Sequence, residues 1–247
     1  MDVFNQFINH TSVRNFTGEP LSDNLKAQLI QVAQSGASSN FVQAYSIIEI
    51  KDPQKLATIE EIAGAPNYIT KTGVFYLFVA DLYKHQQLLE QAELSNHALT
   101  TMEPFIVSVV DTTIAAQNMV AYAESQGLGI CYIGGIRNDL SAIAKLVSLP
   151  KLTFPLFGLT IGYPESRNDV KVRLPQSAIL STDHYQPLTK QLVDQYNQTT
   201  AAYYAQRGSN QQETNWQTKM TAFFREPRRP DVADFMKRQG FTGDFNL

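Results

Sequence analysis

The stretch Phe105–Arg137, FIVSVVDTTIAAQNMVAYAESQGLGICYIGGIR, constrains the fold more than any other part of the chain. Between Phe105 and Glu124 the only formally charged side chain is Asp111. Apolar residues fall on every face of the helix this segment predicts, so the helix is one that other elements wrap. At about 1.5 Å per residue it spans roughly 30 Å, the width of a small domain. A membrane span is the competing reading. Ser108, Asp111, Thr112, Thr113, Gln117 and Asn118 place too much polarity mid-segment for it. Gly127 and Gly129 supply a helix stop, and Ile130–Ile133 favours an extended chain. Gly134-Gly135 then leaves the backbone bare, which suits a flat ligand lying on the peptide plane and equally suits an ordinary turn.

The 247 residues suffice for one large domain, or a domain with an extension. A formal net charge of -3 argues against nucleic-acid binding through a broad basic surface. Residues Met1–His10 lack a basic segment followed by an apolar one, so no secretory signal is expected. The single cysteine, Cys131, rules out an intrachain disulfide and fits a cytoplasmic protein. It sits in an apolar run, where a buried thiol is the expectation. His10, His85, His97 and His184 are scattered, and no metal site is expected.

Along the chain, a short helix is expected over Asp2–Asn9 and another after Ser22, its N-cap. Tyr45–Ile50 reads as a strand, a helix follows from about Gln54 to Ala63, and Gly64–Tyr68 forms a turn. Val74–Ala80 is continuously apolar, as a central buried strand is. His85–Thr101 reads as an exposed helix or excursion. Asn138–Leu149 reads as a helix closed by Pro150, and Phe154–Gly162 as a strand ended by Pro164. From about Tyr185 the composition turns polar, with helical stretches at Gln191–Arg207, Trp216–Phe224 and Val232–Gln239. The division expected is therefore residues 1–184 as the core and 185–247 as an extension that wraps a second subunit.

Four polar stations interrupt this framework. On an extended chain His10, Ser12 and Arg14 point one way and Val13 the other, within about 14 Å at roughly 3.4 Å per residue. Imidazole, hydroxyl and guanidinium together suit a phosphate monoester, although a surface turn with Arg14 packed on Phe16 fits the same residues. Ser35-Gly36-Ala37-Ser38-Ser39-Asn40-Phe41-Val42-Gln43 is a small polar loop able to bond a ligand or simply to connect. Lys171 and Arg173, two apart, aim at one target if extended, or stand as a solvated pair. Arg207-Gly208-Ser209-Asn210 and the arginines 225, 228 and 229 are the basic points of the last part.

Taken in order, His10-x-Ser12-x-Arg14, Ser38-Ser39-x-Phe41-x-Gln43, Gly127-Leu-Gly-x-x-Tyr132-Ile-Gly-Gly135 and Lys171-x-Arg173-Leu-Pro resemble the flavin-dependent nitroreductase family. The resemblance is closest to its NADPH-preferring branch of oxygen-insensitive nitroreductases and NADPH-flavin oxidoreductases. It runs from about His10 to Gly240 and implies an α+β fold: a mixed, mostly antiparallel central sheet flanked by helices around a long core helix, with a C-terminal extension, in a homodimer. It further implies non-covalent FMN at the dimer interface. His10, Ser12 and Arg14 would hold the phosphate and ribityl end, joined by Lys171 and Arg173. Ser38, Ser39 and Asn40 would contact the flavin from the facing subunit, and Tyr132, Ile133, Gly134 and Gly135 would lie along the ring. Where the family often has a glutamine at the pyrimidine edge, this chain has Pro66 beside Asn67; either Asn67 substitutes or that bond is lost. Arg207 would read the 2′-phosphate of NADPH, and Arg228 or Arg229, with Arg137, would form a basic rim at the substrate mouth.

The activity implied is a ping-pong, two-electron reduction of nitroaromatics, quinones, azo compounds or flavins by NADPH, with no side chain required as acid or base for the hydride. A flavin reductase serving a partner monooxygenase is the alternative. A non-catalytic flavin-binding protein is the reading from another class.

Overall fold

The computed structural model describes residues 2–208 and 210–243. It divides into two compact units, Met1–Arg167 with Arg229–Leu247, and Asn168–Arg228.

The first unit opens with helix α1 (Val3–Ile8), whose N-cap Asp2 accepts from the Asn5 N–H, and a short strand β1 (Asn15–Phe16). Helix α2 (Asp23–Gln34) starts where expected, with the Ser22 hydroxyl accepting from the Leu25 N–H. Strand β2 (Tyr45–Glu49), helix α3 (Pro53–Ala63), strand β3 (Val74–Asp81) and helix α4 (Tyr83–Gln91) follow. The long helix α5 (Met102–Ser125) leads into strand β4 (Gly129–Ile133), helix α6 (Leu140–Leu146) and strands β5 (Thr153–Gly162) and β6 (Pro164–Ser166). The second unit holds helices α7 (Lys190–Gln206) and α8 (Trp216–Phe223); α9 (Val232–Arg238) belongs to the first.

The main sheet has the order β2-β3-β5-β4, and every neighbouring pair is antiparallel. The parallel element is a single bridge, Ser12 to Ile130. All of β3 is buried because both of its faces are covered. Tyr76 and Phe78 join the cluster built on Leu29, Ala116, Met119 and Val120 of α2 and α5. Phe75, Leu77 and Val79, on the opposite face, pack with Ile59 of α3 and with Ile136 and Ile143. Each such side chain contributes about 1.5–3 kcal/mol on burial. The long apolar helix is thus a core helix, with Ser108, Asp111 and Thr112 buried among its apolar residues.

Several boundaries differ from expectation. Strand β5 ends before Pro164 as expected, but Pro164 itself begins a further strand, β6, which pairs antiparallel with β1. That edge position tolerates a residue without an N–H. Helix α6 is shorter than Asn138–Leu149, since residues 134–138 form a 3-10 turn. The apolar stripe of α1 is not buried: Phe4 is 70% and Phe7 48% exposed. The boundary at 184/185 differs from the division into units. Residues from Arg229 return to the first unit because Phe235, Met236 and Phe241 are buried with Leu140, Leu152 and Phe154.

Candidate functional site

Strand β4 organises the candidate site residues of the first unit. The Val13 N–H donates to the Ile130 carbonyl at 2.8 Å, laying residues 10–14 along β4. Gly129 permits this, since a Cβ there would stand 2.6 Å from the Val13 side chain. The expected alternation is present: Thr11 and Val13 are buried, His10 and Ser12 are half-buried, and Arg14 is exposed. The Arg14 guanidinium makes no hydrogen bond or ion pair among the described residues. His10 is fixed by its Nδ1, 2.6 Å from Glu124 Oε1 near the end of α5. Glu124 went unassigned in the sequence because its partner lies far away along the chain. The helix end itself is clamped by Arg167, whose Nη2 donates to the carbonyls of Gly127 at 2.9 Å and Leu128 at 3.2 Å.

At its other end β4 delivers Tyr132 and Ile133 into the Gly134–Gly135 turn. The Tyr132 hydroxyl donates to Gln117 Oε1 at 3.2 Å, and its ring meets Phe157 edge-on. Burial, with the Glu124 charge added, pushes the Tyr132 phenol far above its ordinary value. A Cβ on Gly135 would overlap the Ala63 carbonyl, whereas one on Gly134 would meet only the end of Arg137, at 3.3 Å. Space, more than backbone freedom, dictates the second glycine.

Arg137 donates to the Leu156 carbonyl. Burial and the neighbouring Arg229 charge lower its pKa below the usual arginine value. Arg229 Nε donates to Asn138 Oδ1 at 2.9 Å, so Arg137 and Arg229 form one cationic pair in the first unit. Asn67 is exposed at φ 70°, in a loop gathered by Glu60. Glu60 Oε2 accepts from the N–H groups of Ile69 at 3.0 Å and Thr70 at 2.9 Å. Burial pushes the Glu60 carboxyl upward, but the donors of Thr70, Asn67 and Ile69 outweigh it and leave its pKa below the ordinary value.

In the Ser38–Gln43 loop, Ser39 and Asn40 are exposed. Ser38 Oγ instead donates to Asp111 Oδ2 at 2.8 Å and accepts from the Gln43 N–H at 2.8 Å. Asp111 was visible as the lone charge in an apolar helix, a signal with no role attached to it.

The second unit carries Lys171 and Arg173, both exposed, alternating with half-buried Val172 and Leu174. The Tyr196 hydroxyl pins this segment to α7 by donating to the Val172 carbonyl at 3.0 Å. Beside it is a cleft of about 490 Å³ lined by Lys171, Arg173, Tyr196, Tyr203 and Trp216. Arg207 lies over the Tyr203 ring at 5.8 Å, and Arg228 over Phe223 at 4.4 Å. Ser209 of the Arg207–Asn210 motif is outside the described residues.

Two oxidoreductase family profiles match the chain, the nitroreductase family over residues 8–163 and its C-terminal domain over 171–244, and the chain belongs to the nitroreductase family. It is 39% identical over 239 residues to an FMN reductase (NADPH) of Bacillus subtilis, covering 95% of this chain and 96% of that one. It is 36% identical over 233 residues to an oxygen-insensitive NADPH nitroreductase of Salmonella typhimurium, covering 94% and 95%. The solved NfrA1 nitroreductase from B. subtilis superposes with a TM-score of 0.93 at 37% identity, over 97% of this chain and 98% of that one. The α+β nitroreductase fold expected from the motifs is therefore the fold present.

Proposed function

We propose that the protein is an FMN-dependent NADPH oxidoreductase. The observation that carries this reading is the joining, on one strand, of an uncommitted Arg14 guanidinium at one end and a glycine turn at the other. Among the described residues the Arg14 guanidinium makes no hydrogen bond or ion pair, which supports its role as the cation that meets a dianionic phosphate. The Gly134–Gly135 turn adds no side chain of its own at the end of β4, which suits the close approach of a flat ring. The donor set thus fits FMN.

Held there, FMN would supply the two-electron redox chemistry of a ping-pong cycle, with NADPH as donor and a nitroaromatic, quinone, azo compound or free flavin as acceptor. The chain's own residues bind and orient. Arg14, Lys171 and Arg173 neutralise the phosphate, and Ser12 adds a hydroxyl. His10, held at Nδ1 by Glu124, keeps Nε2 for the ribityl end. Tyr132, Ile133, Gly134 and Gly135 flank the ring, and Asn67 stands where the pyrimidine edge is met. Ser39 and Asn40, with Ser38 behind them, reach the flavin of the facing subunit in a homodimer. The exposed apolar residues of α1, with Ile106 and Val110 of α5, support that dimer. Arg207 reads the NADPH 2′-phosphate, while Arg228, Arg229 and Arg137 serve the acceptor side. The names of both relatives support NADPH as donor, and the reading needs neither a metal, a nucleic acid nor a membrane. A cytoplasmic location accords with the single cysteine.

Anaerobic mixing of purified yellow protein with NADPH tests this. Bleaching of the yellow oxidised-flavin colour, followed by its recovery with nitrofurazone or free FMN, is the expected result. A colourless protein that takes up no FMN overturns the assignment. Faster recovery with free FMN than with nitrofurazone would favour the flavin-reductase reading, which the relative named FMN reductase supports.

A further inference from the structure

The Ser38–Gln43 loop places Asn40, Phe41 and Gln43 at φ of 47°, 60° and 54°. The left-handed region is costly for residues with a side chain, and such a loop persists only where its surroundings over-determine it. Asp111 does this from the middle of α5, where it is 1% exposed. Its Oδ2 accepts from Ser38 Oγ at 2.8 Å and from the Ala44 N–H at 3.0 Å, so one oxygen ties both ends of the loop. Ser38 Oγ closes the inner ring by accepting from the Gln43 N–H. His85 adds a lateral tie, its Nε2 donating to the Val42 carbonyl at 2.8 Å. The other oxygen, Asp111 Oδ1, is buried with no hydrogen-bond partner among the described residues. A core helix gains nothing from a half-satisfied carboxylate where an apolar side chain would pack. The loop geometry is the compensating gain.

We propose that Asp111 is a positioning residue for the flavin: it turns the Ser38 hydroxyl inward and thereby presents Ser39 and Asn40 outward. Ser38 then acts through the loop, because its only hydroxyl proton is committed to Asp111. This rests on the FMN reading above and adds the residue that sets the flavin-facing loop.

The test uses the full-length apoprotein and two measurements. Amide hydrogen exchange reads the loop without any cofactor, and quenching of FMN fluorescence reads affinity. In Asp111→Ala, Gln43 and Ala44 amides exchange at least about tenfold faster, and the FMN Kd rises about tenfold. Amides of the second half of α5 keep their protection. Ser38→Ala, which leaves the core helix intact, shows the same pattern to a smaller extent and carries the test should Asp111→Ala not fold. Asp111→Asn, which keeps one carbonyl acceptor, restores most of both readouts. Unchanged exchange at Gln43 in Ser38→Ala, or faster exchange with an unchanged Kd, overturns the proposal and leaves the FMN reading standing. Wild-type protein that takes up no FMN defeats both.

Discussion

The Gly134–Gly135 turn has glycine without left-handed backbone, whereas the Ser38–Gln43 loop has left-handed backbone without glycine. In the first, a neighbouring carbonyl, that of Ala63, leaves no room for a side chain. In the second, side chains hold the backbone where it would not go unaided, through Asp111, Ser38 and His85. A surface for a flat ligand can thus be made by exclusion or by tethering. Exclusion fails abruptly on substitution, and tethering fails by degrees.

The sharpest test of that difference is Gly135→Ala. Overlap with backbone cannot be relieved by a rotamer change, so stability falls by about 3 kcal/mol, a drop in Tm on the order of 10 °C, with loss of bound flavin. Gly134→Ala meets only the flexible end of Arg137 and costs less than about 1 kcal/mol; equal losses at both positions by thermal melts would break the comparison. Arg14→Ala comes next. It is exposed and follows the backbone pairing of Val13 with Ile130, so the fold is kept while FMN affinity drops by about 10- to 100-fold, the worth of a charge-assisted hydrogen bond; flavin retained through dialysis would refute this role. Arg207→Ala, on the second unit, raises KM for NADPH by about tenfold and leaves NADH unchanged, and matched effects on the two donors would remove Arg207 from the 2′-phosphate. Gln43→Gly relieves a left-handed side-chain residue and changes stability by less than about 1 kcal/mol, in the stabilising direction; calorimetry reads it.

A pH arm completes the series. The Glu60 carboxyl has its pKa lowered on folding, so its stabilisation of the Asn67 loop is present above the ordinary value of 4.5 and is lost as pH falls through the lower folded value. The protection factors of the Ile69 and Thr70 amides, corrected for intrinsic exchange, therefore fall as pH drops below 4.5 in wild type, and Glu60→Gln flattens that dependence.

What was legible follows from range. The apolar run that became β3 reports its own burial, because covering on both faces leaves no polar face to find; α5 was legible as apolar, but its Ile106 and Val110 stay exposed. The alternation of His10, Ser12 and Arg14 was equally readable, since period two needs no partner. What escaped depended on distant chain. Glu124 at His10, Arg167 on the Gly127 and Leu128 carbonyls and the pairing of β6 with β1 are contacts between remote positions. The Gly-Gly pair was found, but the reason for Gly135 lies in α3, at Ala63. The exposed stripe of α1 was readable as apolar, yet whether such a stripe faces inward is a property of what lies beside it.

The bridge between Ser12 and Ile130 has a consequence for biogenesis. During synthesis the segment bearing Arg14 leaves the ribosome early and must wait, unpaired, until β4 emerges to receive it. On the FMN reading proposed above, cofactor loading is confined to chains whose first and middle portions have already met, and a yellow colour would certify that this long-range closure has taken place.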